Sequence, residues 1–311
     1  MSFIRQVQEE LAHIIPEKTC CRKAELAAIL IANGSTRPED DGCSLITEVD
    51  SAAIARKVFA LLKELYGLTP AVETGTRKRF KTVKRYVVSV NLEDIKIFQD
   101  LKLINHNLQI KPKSSGKIAG KNCCKRSLAR GFFLCRGFVN RPENGYHLEL
   151  SINDFSMAKD FQKMMLHYSL EFRYIERKNS RILYLKESDQ IAEFLKVIAA
   201  SQAVLEFENV RILKSMRNDV NRQVNCETAN LAKTIDAAVR QTELIKKMQY
   251  AKGWENMPAH LRELAAIRLE FPELTLKELG SMLNPPLSKP GTAYRMRRIE
   301  KYAEKIISSL E

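Results

Sequence analysis

Tryptophan occurs once in this chain, and no two of the seven cysteines stand as a C-x-x-C pair. The odd count of Cys20, Cys21, Cys43, Cys123, Cys124, Cys135 and Cys226 excludes a fully paired disulfide framework within the chain. Adjacent cysteines such as Cys20 and Cys21 are poor chelators of one zinc ion, so the thiols read as reduced and partly buried, with no metal and no cofactor expected. Long hydrophobic runs are also missing. The longest, Leu26–Ala32, falls far short of the roughly 20 residues that span a bilayer, which argues against a membrane helix. The opening MSFIRQVQEELAHII lacks the apolar core and small-residue cleavage site of a signal peptide. Its apolar positions Phe3, Ile4, Val7, Leu11 and Ile14 recur at helical spacing and predict a docked amphipathic helix. His13, His106, His147, His167 and His260 are scattered and form no catalytic constellation, and no small-molecule substrate is indicated. Acid is scarce: 37 Asp and Glu face 51 Lys and Arg, a formal net charge of +14. Such an excess favours polyanions, and with the membrane option weak it points to nucleic acid and to a cytoplasmic, nucleoid-associated protein.

The chain carries a duplication. A shift of 103 positions aligns Cys20 with Cys123, Cys21 with Cys124, Gly34 with Gly137, Gly42 with Gly145, Leu45 with Leu148 and Val58 with Phe161. The match is ungapped over about fifty positions, the mark of an internal structural repeat. Each copy reads as an apolar helix (Ala24–Ala32, Ser127–Cys135), a hairpin with a polar turn (PEDDG, RPENG), and a second helix (Ala52–Tyr66, Phe155–Tyr168). Two further strands and a third helix (Leu92–Ile104, Asp189–Ala200) close the unit. The first helix of each copy is apolar nearly all round and must be buried on several sides. Its small residues Ala27, Ala28, Ala32 and Gly131 would let the two helices pack closely at a pseudo-two-fold axis.

The C-terminal stretch reads as a helix-turn-helix. Leu261, Leu264, Ala265, Ile267 and Leu269 mark one helix, stopped by Pro272, and Leu276, Leu279, Met282 and Leu283 mark a short second one. Asn284, Pro285 and Pro286 force a turn, after which Ser288 can cap a third helix. That helix begins basic and polar, which suits insertion into a major groove. Ser288 and the open N–H groups would grip a phosphate, Thr292, Tyr294 and Arg295 would reach base edges, and Lys289, Arg297 and Arg298 would serve bases or phosphates. A second basic region lies between Thr76 and Lys125, where thirteen Lys or Arg meet three acids, a local charge of +10. Arg77, Arg79, Lys81 and Lys84 lie on or beside one hairpin there and are candidates for sequence-independent phosphate contact.

LAAILIANG (Leu26–Gly34) and, more loosely, ARGFFLCRG (Ala129–Gly137) resemble the nine-residue motif of the LAGLIDADG homing endonucleases. In active members the acid before the final glycine of each motif holds the metal. Here those positions are Asn33 and Arg136: an amide is a poor substitute for the carboxylate, and a guanidinium repels the ion. The resemblance therefore implies a nuclease scaffold without catalytic residues, and no enzyme. Acids at Glu39, Asp40, Asp41 and Glu143 fall in hairpin turns and read as solvated charge. Together with FIRQVQEELAHI, NRQVNCETANLAKTIDAA (Asn221–Ala238) and LTLKELGSMLNPPLSKPGTAYRMRRI (Leu274–Ile299), the layout resembles the WhiA family of bacterial regulators. The resemblance implies an α+β fold, a duplicated α-ββ-α-ββ-α LAGLIDADG-like saddle followed by an all-α helix-turn-helix domain. The expected divisions are an N-terminal helix at 1–18, repeats at 19–115 and 116–210, a helical linker at 211–256 and the helix-turn-helix at 257–311. The role implied is sequence-specific transcription regulation in sporulation and cell division, on double-stranded DNA. RNA polymerase or another regulator is left open as a protein partner. The alternatives are a nucleoid-associated protein with little promoter preference and a residual nuclease.

Overall fold

A computed structural model describes the chain except for residues 1, 40–41, 79–81, 93–95, 104–109, 111–117, 178–179, 251–252 and 309–311. The chain divides into two units, Met1–Lys214 and Ser215–Glu311. In the first, α1 (Phe3–His13) is followed by α2 (Thr19–Asn33), β1 (Gly34–Glu39), β2 (Gly42–Val49), α3 (Ala52–Tyr66), β3 (Ala71–Lys78), β4 (Thr82–Leu92) and α4 (Lys96–Asp100). The pattern repeats as α5 (Asn122–Arg136), β5 (Gly137–Val139), β6 (Leu148–Ile152), α6 (Phe155–Leu166), β7 (Arg173–Arg177), β8 (Ser180–Leu185) and α7 (Ser188–Val197). The strands form two antiparallel four-stranded sheets of the same order, β1-β2-β4-β3 and β5-β6-β8-β7. The 103-residue shift carries both ends of α2 onto both ends of α5, so the duplication seen in the residues is a duplication of structure.

Alternation explains the sheets. In β6, Leu148, Leu150 and Ile152 are buried while Glu149 and Ser151 are half-exposed, as expected of a sheet with one face on the core. The copies differ locally. The third helix of the first repeat is shorter than the expected Leu92–Ile104, because Leu92 still belongs to β4 and α4 begins at Lys96. The PEDDG turn includes Asp40 and Asp41, which lie outside the described residues. In the RPENG turn Pro142–Asn144 form a 3-10 turn, and Gly145 takes φ 115°, which a side chain would resist.

In α2 every residue from Ala24 to Leu30 is buried, and in α5 every residue from Ser127 to Leu134. These two helices pack against each other, and Gly131 lies where they approach closely. A Cβ built there would stand 2.6 Å from the Glu25 carbonyl oxygen and 2.8 Å from Ala28 Cβ. The α1 helix docks through Phe3, Val7, Leu11 and Ala12, all buried.

One feature of this interface was not read from the sequence. Glu25, Lys57 and Arg130 form an ion triad inside the apolar core, with Glu25 and Lys57 side chains 0% exposed and Arg130 7%. Arg130 donates to Glu25 in a fork, Nε to Oε1 at 2.9 Å and Nη2 to Oε2 at 2.6 Å. Lys57 Nζ lies 2.6 Å from Glu25 Oε1 and donates to the carbonyls of Leu11 (2.7 Å) and Ile14 (2.6 Å) at the end of α1. All three ammonium donors are thereby used. Burial pulls the Lys57 ammonium below its ordinary range, and the Glu25 carboxylate acts in the opposite direction. The signal was one glutamate within Ala24–Ala32 and one arginine within Ser127–Cys135, otherwise uncharged stretches where a charge must find a partner.

A single helix, α8 (Ser201–Tyr250), starts in the first unit and ends in the second. Its first turns bury Ala203 and Phe207 in the first core, and Glu10 accepts from the backbone N–H groups of Gln202 (2.8 Å) and Ala203 (3.1 Å). Its last turns bury Ile245 and Met248 in the second core, with Met257, Leu261, Leu264, Leu279, Leu283, Met296 and Ile299.

Candidate nucleic-acid interface

The second unit places three further helices after α8: α9 (Ala259–Glu270), α10 (Leu276–Ser281) and α11 (Lys289–Ser308). Arg268 is buried near the end of α9, and its guanidinium donates to the carbonyls of Pro272 (3.3 Å) and Leu274 (2.7 Å), which fixes the chain between α9 and α10. Thr275 and Glu278 form a capping box at the start of α10. These hydrogen bonds to the carboxylate hold Glu278 below the ordinary carboxylate pKa. Ser288 Oγ accepts from the Gly291 N–H at 3.4 Å, so the predicted cap of the third helix is present.

The crossing of α10 and α11 is tight. A Cβ on Gly280 would stand 2.2 Å from Thr292 Oγ1 and 2.5 Å from the Leu287 carbonyl oxygen. The Leu287 N–H in turn donates to the Gly280 carbonyl at 2.8 Å. We expect Gly280→Ala to destabilise the second unit by about 1–3 kcal/mol, because the obstacle is partly backbone. Urea unfolding followed through the single Trp254 would show it, and an unchanged midpoint would contradict the crossing described.

This crossing corrects one expectation. Thr292 is fully buried and its hydroxyl donates to the Ser288 carbonyl at 3.1 Å, so it cannot reach a base edge. It shares the inward face of α11 with Met296, Ile299 and Ala303, spaced four, three and four residues apart. Tyr294 is 63% exposed. Arg298, one turn beyond it, and Arg297 are exposed too, while Arg295 is half-buried at the edge of this face. Ser288 and Lys289 are exposed at the start of the helix. The outward surface of α11 therefore carries Lys289, Tyr294, Arg297 and Arg298, with Lys301 added two turns on.

In the first unit the basic hairpin is β3–β4. Arg77 lies in β3 opposite Val83, and Lys84 lies in β4 opposite Thr76 with its side chain exposed. Arg79 and Lys81 lie outside the described residues. Arg85, next in β4, forms an ion pair with Glu48.

Asn33 and Arg136, each one residue before the final glycine of its motif, line one cleft with Glu48, Asp50 and Arg85. Asn33 Nδ2 donates to the Glu48 carbonyl at 2.9 Å. Arg136 donates through Nε (3.1 Å) and Nη2 (2.9 Å) to the Ala32 carbonyl at the end of the facing helix. The acids of this cleft are Glu48 and Asp50 rather than those of the hairpin turns. Glu48 pairs with Arg85, and Asp50 Oδ2 lies 3.7 Å from Arg5. The side chains at the two motif ends are thus tied to backbone, and both nearby carboxylates already face a guanidinium.

Three segments match known family models: residues 19–104 the WhiA N-terminal LAGLIDADG-like domain, 125–217 the WhiA LAGLIDADG-like domain and 220–303 the WhiA C-terminal HTH domain. A protein of Syntrophomonas wolfei named "Probable cell division protein WhiA" is 50% identical over 99% of both chains. The chain belongs to the WhiA family. A Heliobacterium modesticaldum protein of the same name is 43% identical over 98% of this chain and 96% of its own. Among solved structures, full-length DUF199/WhiA from Thermatoga maritima aligns over 98% of both chains with TM-score 0.60 and 26% identity. A solved N-terminal LAGLIDADG domain of DUF199/WhiA aligns over 64% of this chain and 90% of its own with TM-score 0.50 and 19% identity, which speaks for the fold alone. The fold class read from the sequence, a duplicated LAGLIDADG-like unit followed by a helix-turn-helix, is the one that the family has. Among the described residues no helix is long and apolar enough to cross a membrane.

Proposed function

We propose that this protein is a sequence-specific double-stranded-DNA-binding regulator of transcription that acts in cell division, as the names of its relatives suggest. The observation that carries this reading is the outward face of α11, where Tyr294, Arg297 and Arg298 stand exposed on a helix whose opposite side is locked into a core. A rigid helix that presents arginines and an aromatic ring can read base edges, arginine pairing best with guanine. Ser288, Lys289, Arg295, Arg297 and Arg298 supply the donors for phosphates or bases. Arg77, Arg79, Lys81 and Lys84 would add affinity without specificity. We place the module's boundary upstream of residue 257, since Ile245 and Met248 belong to its core. The nuclease scaffold serves this function without cleavage, because its motif ends are Asn33 and Arg136 and the cleft acids are paired.

The decisive experiment selects a preferred duplex with the full-length protein and then compares Arg298→Ala on that duplex and on random DNA. Loss of one base-reading arginine should cost roughly 1–3 kcal/mol on the preferred duplex and much less on random DNA. Equal losses on both would remove α11 as the reader and favour a nucleoid-associated protein without sequence preference. In the same assay, joint replacement of Arg77, Arg79, Lys81 and Lys84 should weaken all sequences alike. The slope of log affinity against log salt should also flatten by about 0.9 per lost contact. An unchanged slope would assign the first unit a role away from DNA. Supercoiled plasmid incubated with magnesium should stay intact, and nicking that disappears on mutation of the cleft would reverse the non-enzymatic reading.

A further inference from the structure

The cysteines that looked unpromising as adjacent pairs converge in space. Cys20 and Cys21 occupy the first turn of α2, Cys123 and Cys124 the first turn of α5, and all four Sγ atoms lie within 4.8 Å of one another. The contact is already bonded across the repeats, since the Cys124 thiol donates to the Cys20 carbonyl at 3.6 Å. Within the second pair the sulfurs are 4.0 Å apart. Cys21 and Cys124 are buried and Cys20 and Cys123 half-buried, so the cluster has an inner and an outer rim.

We propose that these four thiols form a binding site for one thiophilic divalent ion, Zn2+ by its chemistry, which links the two repeats at the starts of α2 and α5. A zinc tetrathiolate has bonds of about 2.3 Å and hence sulfur–sulfur edges of about 3.8 Å. The observed cluster needs only movements of roughly an ångström to reach that tetrahedron. Four soft sulfur donors without oxygen select zinc over magnesium or calcium. Each thiol that joins the ion gives its proton to solvent, and the site gains a charge of −2 with four thiolates around one Zn2+.

The surroundings suit that charge. Neither helix has an acidic residue in its first turn, and neither N-cap residue, Lys18 or Lys121, makes a side-chain capping bond. Helix starts carry partial positive charge and usually attract an anion. Here two helices direct that charge at the same point, and a metal thiolate is the anion placed to meet it. Basic residues bracket both pairs: Lys18, Arg22 and Lys23 around the first, Lys121, Lys125 and Arg126 around the second. An adjacent pair alone is a weak chelator. The fold overcomes this by presenting two pairs from facing helices, related by the same 103-residue shift as the rest of the repeat.

The test uses the full-length protein purified under reducing conditions. Zn2+ is titrated in competition with a chromophoric chelator, and Co2+ is titrated alone for the visible absorption of a tetrahedral cobalt thiolate. One equivalent of either metal per chain is expected, with thermal stabilisation that a strong chelator reverses. Cys20→Ser and Cys123→Ser, at the half-buried rim, should each weaken Zn2+ binding by roughly tenfold or more while circular dichroism stays unchanged. Cys43→Ser and Cys226→Ser should bind as the parent does. Three results would overturn the site: less than a tenth of an equivalent bound, cluster variants that bind as tightly as the parent, or iron with acid-labile sulfide in place of a single ion. Should Cys20→Ser fail to fold, the cobalt spectrum of the unaltered protein still decides, since a spectrum without thiolate charge transfer excludes sulfur ligation.

Discussion

Glu25→Gln should be among the most damaging single substitutions in the first unit, with an expected loss of about 3–5 kcal/mol. The carboxylate is the counter-charge of both Lys57 and Arg130, and all three side chains are buried. Without it two cations remain in an apolar core with only neutral acceptors: the Leu11 and Ile14 carbonyls for Lys57, and the Ile198 carbonyl and Ser127 hydroxyl for Arg130. Breaking a buried pair from one side costs far more than the intact pair contributes, because the remaining charge keeps its desolvation penalty. Urea unfolding would measure the loss. A companion triple variant, Glu25→Leu, Lys57→Met and Arg130→Met, should recover a large part of it, less the cost of the Ile14 carbonyl, which loses its Lys57 donor, while the Leu11 carbonyl keeps the Ile14 N–H. A loss below about 1 kcal/mol for Glu25→Gln would show that water reaches the site and that the triad is not a core feature.

Gly131→Val should come close behind. Its Cβ would fall 2.6 Å from the Glu25 carbonyl oxygen and 2.8 Å from Ala28 Cβ, and a backbone atom cannot turn away as a side chain can. The two central helices must separate, which strains every contact along them. Overpacking of this kind typically costs about 1–3 kcal/mol, and a branched residue against backbone belongs at or above the upper end. Gly75→Ala is the matched control, because nothing lies within 4 Å of its built Cβ. Equal melting temperatures for the two variants would mean that α2 and α5 do not approach as described.

The elements that could be read from residues were those governed by short-range rules. The helix-turn-helix announced itself through Pro272, the Asn284–Pro286 turn and the Ser288 cap, each of which acts within a few residues. The duplication was visible because the shift is ungapped and carries glycines and cysteines together. What escaped was long-range. The ion triad joins residues 32 and 105 positions apart in sequence, and nothing local pairs them. The convergence of Cys20, Cys21, Cys123 and Cys124 is long-range in the same way, because neither adjacent pair points to the other in sequence. Thr292 is a different kind of error. Its place on the buried stripe with Met296 and Ile299 is legible in the spacing, and there position outweighs the polarity of the side chain.

The ion triad also bears on how the two halves of the first unit choose each other. Under the 103-residue shift Arg130 corresponds to Ala27, and Glu25 to Leu128. Two first repeats from separate chains, paired through α2, would bring two Glu25–Lys57 pairs together with no guanidinium to bind either carboxylate in a fork. Two second repeats would place Leu128 where Glu25 stands, so neither Arg130 would meet the glutamate that binds it here. Only the pairing of a first with a second repeat forms the Glu25–Arg130 fork, so halves alike in fold are not interchangeable at this seam. Exchange of a repeat between molecules would keep this fork only as one first with one second, which leaves a single partner for every copy.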